Sequence, residues 1–532
     1  MNVSMLRKYV WLLWALWLLP WSLTSCSKDD DPVEEEGGKE TNVSKAYQDE
    51  KPYANFFGYQ MMNDAYLWKS QIASGLNKWE LMDDPMETVK KIRYKKAAGD
   101  DIDKWTMMTP SYTEMVGGTD GVSTGTYGLG IKFYLKDSDS DAVVGFITYT
   151  YPDSPAEKAG LKRGDVILQV DGKEMNKSNY YNALFASTSV EVGIGRYEGN
   201  NGYSAVQKTV PMQSKAMYED PILLTKVFDC GGKKVGYLAY ISFTFESSRG
   251  LYDVCKEFKS QGITELILDL RYNGGGYVFT ENVFVSMLAP EAEVKNGSVF
   301  QTEVWNDDYM DYYKQNKIDL NTYFNTKFSA THGSEKYDLN TSDANIGLTK
   351  IYALVTESSA SASESILVGL MPYVDIEVIG KQTHGKYCTG TMLKGEEWYQ
   401  DVSDNYKKKG KDFAKELPEF ADWKKYIADW GIYVMINMYA DKNGNNPCMP
   451  DGLTPDVETA DLFEEPYPLG DEREAMLHVA LQRAGKTDLQ VRSVSRSAGE
   501  ALQVGKLLPG KQNPLDGKRI YTGKLLKSSV IE

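Results

Sequence analysis

The stretch that most constrains this chain is residues 351–390, IYALVTESSASASESILVGLMPYVDIEVIGKQTHGKYCTG. A β-like run, 351–355, breaks into a serine-rich polar turn. An apolar segment with Ile366, Leu367, Val368 and Leu370 reads as a helix, and 376–379 reads as a second β-like run leading to Thr383-His384-Gly385-Lys386. Strand, turn, helix and strand in this order put a serine at a strand-to-helix junction and bring a lysine back beside it. A serine hydroxyl is a poor nucleophile until a base takes its proton. A lysine can be that base only when neutral, so its usual pKa of about 10.4 must fall, which a desolvated site achieves. Ile376, Val378 and Ile379 are the expected apolar wall. Ser361-x-x-Glu364 ahead of an apolar run is also a capping box, so Glu364 reads either as a cap alone or as an acidic third member.

The 532 residues exceed what one core holds, which predicts three or four domains. A formal net charge of −16 argues against a nucleic-acid surface. The three histidines, His332, His384 and His478, and the cysteine spacings match no zinc pattern, so a histidine-based metal site is not expected; no organic cofactor is implied by the sequence either. At the N-terminus, Arg7 and Lys8 precede an apolar run, 10–19, too short for a spanning helix of about 20 residues. It ends Leu23-Thr24-Ser25-Cys26, which resembles a bacterial lipobox. That resemblance implies a signal peptide over 1–25, lipidation of Cys26 and a membrane anchor on a protein of the cell envelope. Residues 26–48 read as a polar, acidic tether.

Phe57, Met61, Ala65 and Trp68 at helical spacing, then Asp84-Pro85 opening a second helix, predict a small helical domain over 49–116. Tyr127-Gly128-Leu129-Gly130-Ile131 leads into a strand, and 151–172 reads as a short helix, an Arg163-Gly164-Asp165 turn, a buried strand and an Asp-Gly turn. This string resembles a PDZ domain over 117–215. The resemblance implies that Gly128, Leu129, Gly130 and Ile131 hold a peptide's C-terminal carboxylate while the peptide adds as a strand. A spacer or lid is the open alternative. Further on, Asp269-Leu270-Arg271-Tyr272-Asn273 runs into Gly274-Gly275-Gly276, whose unshielded backbone N–H groups suit an oxyanion cradle. Residues 300–345 show no clear period and read as a rim insertion. The C-terminal stretch, 471–532, reads as a helix through Ala475, Leu477, Val479 and Leu481, then, from Arg492, a basic tail that is solvated or loosely docked.

Taken in order, Lys234-Val235-Gly236-Tyr237, the Asp269–Gly276 motif, Ser359-Ala360-Ser361-Ala362-Ser363-Glu364, Thr383-His384-Gly385-Lys386 and Gly452-Leu453-Thr454-Pro455-Asp456 resemble the C-terminal processing, or tail-specific, serine peptidases. The resemblance implies an α/β fold: a mixed-sheet, crotonase- or Clp-protease-like domain over 222–470, with the PDZ and helical domains before it. It implies polypeptide substrates and a serine–lysine dyad, Ser361 and Lys386, with the oxyanion held by Ala362 and by Gly274 or Gly275. Two departures stand out: Pro372 lies eleven residues after Ser361 with Asp375 displaced, and Gly390 replaces the glutamine that many members carry four residues after the lysine. Residues 380–386 also fit the start of a phosphate-binding loop, but Tyr387 stands where that loop needs serine or threonine. A non-catalytic, peptide-gripping lipoprotein on the same fold and a structural assembly factor of the outer membrane are the other readings.

Overall fold

The computed structural model describes residues 40–81, 83–96, 102–117, 121–199, 202–490, 506–509, 518–522 and 525. Cys26, the signal segment and most of the tether lie outside them. The chain divides into two compact units, 1–110 with 393–432 and 524–532, and 111–392 with 433–523. No helix among the described residues is long and apolar enough to cross a membrane.

The first unit is helical and draws on two distant stretches of sequence. Its longest helix, Glu40–Asp64, stops before Ala65 and Trp68, although both are buried on the predicted stripe. Asp84 caps the helix Pro85–Ile92 by accepting the Met86 and Glu87 N–H groups, with Pro85 in the first turn. The aromatic stripe is a packing surface. Phe56 stacks on Phe420 at 4.1 Å between ring centroids, and Tyr399 of the helix Gly395–Lys408 donates to the Tyr53 carbonyl at 3.0 Å.

The second unit holds the PDZ-like domain and the mixed-sheet domain. The PDZ-like sheet contains β1 (Leu129–Leu135), β2 (Ala142–Thr150), β3 (Val166–Val170) and β4 (Lys173–Asn176). Helix α1 (Tyr180–Phe185), β5 (Ser189–Gly195) and β6 (Lys208–Gln213) complete it. The predicted punctuation holds: Ser154 caps the helix Pro155–Lys158, and Gly160 and Gly164 take the left-handed φ their turns need. Phe133, Ile147, Ile167, Leu184 and Val192 lie in its core.

In the mixed-sheet domain, β7 (Ile222–Cys230) and β8 (Lys233–Tyr240) form a hairpin. Helix α2 (Ser247–Ser260) leads to β9 (Glu265–Asp269), and the glycine run becomes β10 (Gly275–Tyr277), followed by α3 (Val278–Leu288). Strands β11 (Val299–Trp305) and β12 (Asn321–Tyr323) follow, so the stretch read as a rim insertion begins with a strand inside the second sheet. Its missing period has a physical reason: Gln301 is buried for its side-chain hydrogen bonds, not as part of an apolar face. The organising stretch forms β13 (Lys350–Val355), α4 (Ala362–Leu370), β14 (Asp375–Gly380) and β15 (Cys388–Lys394). The remaining elements are β16 (Gly431–Ala440), β17 (Val457–Glu458), α5 (Ala475–Arg483), β18 (Leu507–Leu508) and β19 (Lys518–Tyr521).

One sheet runs β7-β8-β9-β13-β14-β17, parallel from β8 onward. The other contains the order β10-β19-β15-β16-β11-β12. Helix α5 covers the first sheet through Met476, Leu477 and Leu481 against Tyr237, Leu354 and Ile379. Of the two readings of the tail, the described segments are docked: β18 pairs with β1, β19 pairs with β10 and β15, and Arg519 and Ile520 are buried.

Candidate active site

The turn between β13 and α4 and the first turn of α4 carry serines at 359, 361, 363 and 365. Three are committed to structure. Ser359 Oγ donates to the Leu270 carbonyl, Ser363 Oγ to the Asn273 carbonyl and Ser365 Oγ to Glu281. Ser361 differs: it is fully buried, and its Oγ has no hydrogen-bond partner. Its backbone sits at φ 66°, ψ −114°, outside the regions L-residues favour, a strain of about 1–3 kcal/mol that structures hold mainly at functional sites. A buried hydroxyl without a partner costs about 1–3 kcal/mol. Both costs fall on one residue.

Glu364 builds the frame. It stands at the capping-box position of α4 and accepts the Ser361 N–H at 2.8 Å. The same oxygen, Oε2, accepts the Lys386 N–H at 2.9 Å. Oε1 accepts the Gly385 N–H at 2.7 Å and the Thr383 hydroxyl at 2.5 Å. Thr383 Oγ1 in turn accepts the Leu453 N–H at 2.7 Å, which ties the Gly452-Leu453 motif to the same frame. One buried carboxylate thus holds the serine and lysine backbones together, so Glu364 is both cap and organiser.

Lys386 is fully buried, and its Nζ donates to Tyr433 Oη at 2.8 Å. Tyr433 donates to the Arg519 carbonyl at 3.1 Å, and Tyr439 donates to the Lys386 carbonyl at 3.0 Å. Of the wall expected from β14, Ile379 packs into the core under α5, Ile376 is half-buried and Val378 is buried, while the Tyr433 ring of β16 stands against Lys386 Nζ. Lys386 Nζ and Ser361 Oγ are not hydrogen-bonded to each other. His384 is exposed, as a rim residue would be.

The glycine run meets the serine turn through Asn273, which is fully buried. Its carbonyl accepts the Ala360 N–H at 3.1 Å, and its Nδ2 donates to the Tyr240 carbonyl at 3.1 Å. Its Oδ1 accepts the Gly275 N–H at 2.9 Å. This corrects the expectation for Gly275: its N–H is engaged. What Gly275 supplies is room, because a Cβ there would lie 2.7 Å from Ser361 Cβ. Among the described residues, no hydrogen-bond partner stands against the Gly274 or Ala362 N–H. Asn273, Tyr433 and Tyr439 were not singled out in sequence; only the Asn-Gly-Gly-Gly string marked the first.

Residues 234–459 match the model of peptidase family S41, and residues 146–187 match a PDZ domain model. The chain is 26% identical over 381 residues to the "Probable CtpA-like serine protease" of Staphylococcus aureus (strain N315), covering 66% of this chain and 68% of the relative. Over 332 residues it is 24% identical to the "Carboxy-terminal processing protease CtpA" of Bacillus subtilis (strain 168), 58% of this chain and 60% of that one. Residues 234–459 are thus an S41-type peptidase domain, and the chain resembles the C-terminal processing serine peptidases. It is a serine-type peptidase with a PDZ domain, acting on polypeptides. The peptidase also shares its α/β fold with the crystal structure of a "Putative S41 protease" from Bacteroides fragilis, at TM-score 0.58 and 20% identity, covering 80% of this chain and 96% of that one.

In this peptidase, Gly128 immediately precedes β1, and Leu129, Gly130 and Ile131 open it. Gly128 has φ +70°, and a Cβ on it would lie 2.3 Å from Ser154 Cβ, so the turn requires glycine. The PDZ domain is joined to the peptidase domain by a buried charge cluster. Arg163 donates to Asp461 at 2.5 Å and contacts Glu474 at 3.4 Å and Tyr272 Oη. Arg271 forks onto Asp269 and Glu474 at 2.6–3.1 Å. Burial alone would raise the Glu474 carboxyl, but Arg271 and Arg163 outweigh it and hold the group below the usual range; Asp461 is held lower by the same arginines.

Proposed function

We propose that this peptidase is an endopeptidase of the bacterial cell envelope, anchored through a lipid on Cys26, that cleaves through a Ser361–Lys386 dyad. What carries the reading is the contrast between Ser361 and its neighbours: the only one of the four alternate serines whose Oγ is unbonded is also the one in strained backbone. Its N–H shares an acceptor oxygen with that of a fully buried lysine. Taking an ammonium out of water favours the neutral amine, which is the form that can accept the Ser361 proton. Deprotonated Oγ adds to the substrate carbonyl, and the oxyanion is met by the N–H groups of Ala362 and Gly274, which have no partner among the described residues. Collapse expels the amine fragment, protonated by Lys386, and water releases the acyl fragment by the reverse route. Glu364 spends its acceptors on backbone N–H groups and the Thr383 hydroxyl, so it acts as a positioning residue. The PDZ groove opening at Gly128–Ile131 would receive the substrate's C-terminus. A chain beginning at Ser27, incubated with unfolded casein, is expected to cleave it, while Ser361→Ala and Lys386→Ala do not. Equal cleavage by all three would remove the dyad. The lack of a hydrogen bond between the Ser361 and Lys386 side chains favours one second reading, a peptide-gripping lipoprotein without turnover, and cleavage by none of the three would establish it.

A further inference from the structure

The C-terminal segment occupies both places where this peptidase would handle a substrate. In the PDZ domain, β18 adds antiparallel to the free edge of β1, with Leu507 opposite Tyr134 and Leu508 opposite Phe133. The Leu135 N–H donates to the Lys506 carbonyl at 3.0 Å, and Tyr180 Oη on α1 donates to the Pro509 carbonyl at 2.9 Å. Leu508 packs on the domain's core. This is strand addition to a sheet edge, the mode by which such domains take peptides, and the segment runs toward Gly128–Gly130.

In the peptidase domain, β19 inserts between β10 and β15, with Gly275 opposite Lys518 and Gly390 opposite Ile520. A Cβ added to Gly275 would lie 2.7 Å from Ser361 Cβ and 2.8 Å from the Lys518 carbonyl oxygen, so that carbonyl and the serine flank one glycine. The next side chain, Arg519, enters a buried pocket. Its Nε donates to Glu281 Oε2 at 2.7 Å and its Nη2 to Glu281 Oε1 at 3.0 Å, the bidentate pairing a guanidinium favours. Nη2 also donates to Gln301 Oε1 at 2.8 Å, and Nη1 to Thr389 Oγ1. Glu281 is fully buried and also accepts the Ser365 hydroxyl. Without a cation it would be an uncompensated buried charge, which is costly. The S41 match ends at residue 459, so neither β18 nor β19 lies within it.

We propose that Glu281, Gln301 and Thr389 form a subsite for a substrate arginine, and that the chain's own tail, through Leu508 and Arg519, is a tethered mimic that fills the substrate path at rest. The proposal rests on Ser361 being the nucleophile. It also accounts for the resting lysine: Lys386 bonds to Tyr433, which is held by the Arg519 carbonyl. A tether gives the tail an effective concentration in the millimolar range, so a substrate must compete with it.

The test reads binding in the full-length chain carrying Ser361→Ala, with a labelled peptide of sequence GKRIYT and its twin bearing citrulline, a neutral isostere, for arginine. With Arg519→Ala added, the arginine peptide is expected to bind at least tenfold more tightly than the citrulline peptide, and Glu281→Gln is expected to erase that preference. With Arg519 intact, binding is expected to be at least tenfold weaker. Equal binding of the two peptides, or equal binding with and without Arg519, overturns the proposal. Should Arg519→Ala fail to fold, hydrogen exchange on the unaltered chain decides. Amides 518–521 exchanging faster than those of 432–436 support a displaceable occupant; equal exchange makes β19 a permanent strand and overturns it. Cleavage surviving Ser361→Ala would instead sink the nucleophile while the binding result stood.

Discussion

Two buried carboxylates, Glu364 and Glu474, do opposite work with the same functional group. Glu364 is held by three backbone N–H groups and a hydroxyl, so its geometry is fixed by the chain path of two loops. Glu474 is held by the guanidiniums of Arg163 and Arg271 and by the Leu477 N–H, so it balances charge where the PDZ and peptidase domains meet. Backbone donors orient without neutralising, which suits a frame that must leave a neighbouring lysine chemically available. Guanidiniums neutralise and bridge, which suits a junction between domains. The site side of this contrast is about positions, and the junction side is about charge.

The sharpest way to break the contrast is to remove each acid. Glu364→Ala strands four donors at once, and is expected to lower peptide cleavage by about a thousandfold or more and stability by about 3–5 kcal/mol, read by turnover and denaturant melts. Arg163→Met leaves the frame untouched. It is expected to destabilise by about 3 kcal/mol while short-peptide turnover stays within about threefold, and a matching loss of turnover would show that the junction reaches the site. Glu364→Gln keeps one acceptor oxygen and sharpens the distinction: stability is expected to fall by about 1–3 kcal/mol, with activity reduced but measurable.

The smallest effect is on pH. Glu474 and Asp461 have folded values held below their unfolded ones, so their stabilisation is present above the unfolded range near pH 4 and is lost as pH falls through the folded values. The acid unfolding midpoint is therefore expected below pH 4, and Arg163→Met should raise it by about half a unit in a fluorescence titration. No change would remove the charge account of the junction.

Much of this was legible in sequence because it is local. The β13–α4–β14 path, the PDZ turns and the Ser361–Glu364 spacing each depend on neighbours within a few residues. What was not legible depends on distant partners. Arg519 looks like one more basic residue of a solvated tail until Glu281, far back in the chain, is folded beside it. Tyr433 carries no mark in a strand whose residues are nearly all buried. Gln301 hides in a stretch without period because it is buried for its hydrogen bonds.

The most direct test of the dyad is intact-mass measurement after treatment with a fluorophosphonate, which phosphonylates an activated serine. The account predicts one adduct per chain, mapped to Ser361, absent in Ser361→Ala and formed at least a hundredfold more slowly in Lys386→Ala. An adduct on another serine, or an unchanged rate without the Lys386 amine, would contradict it.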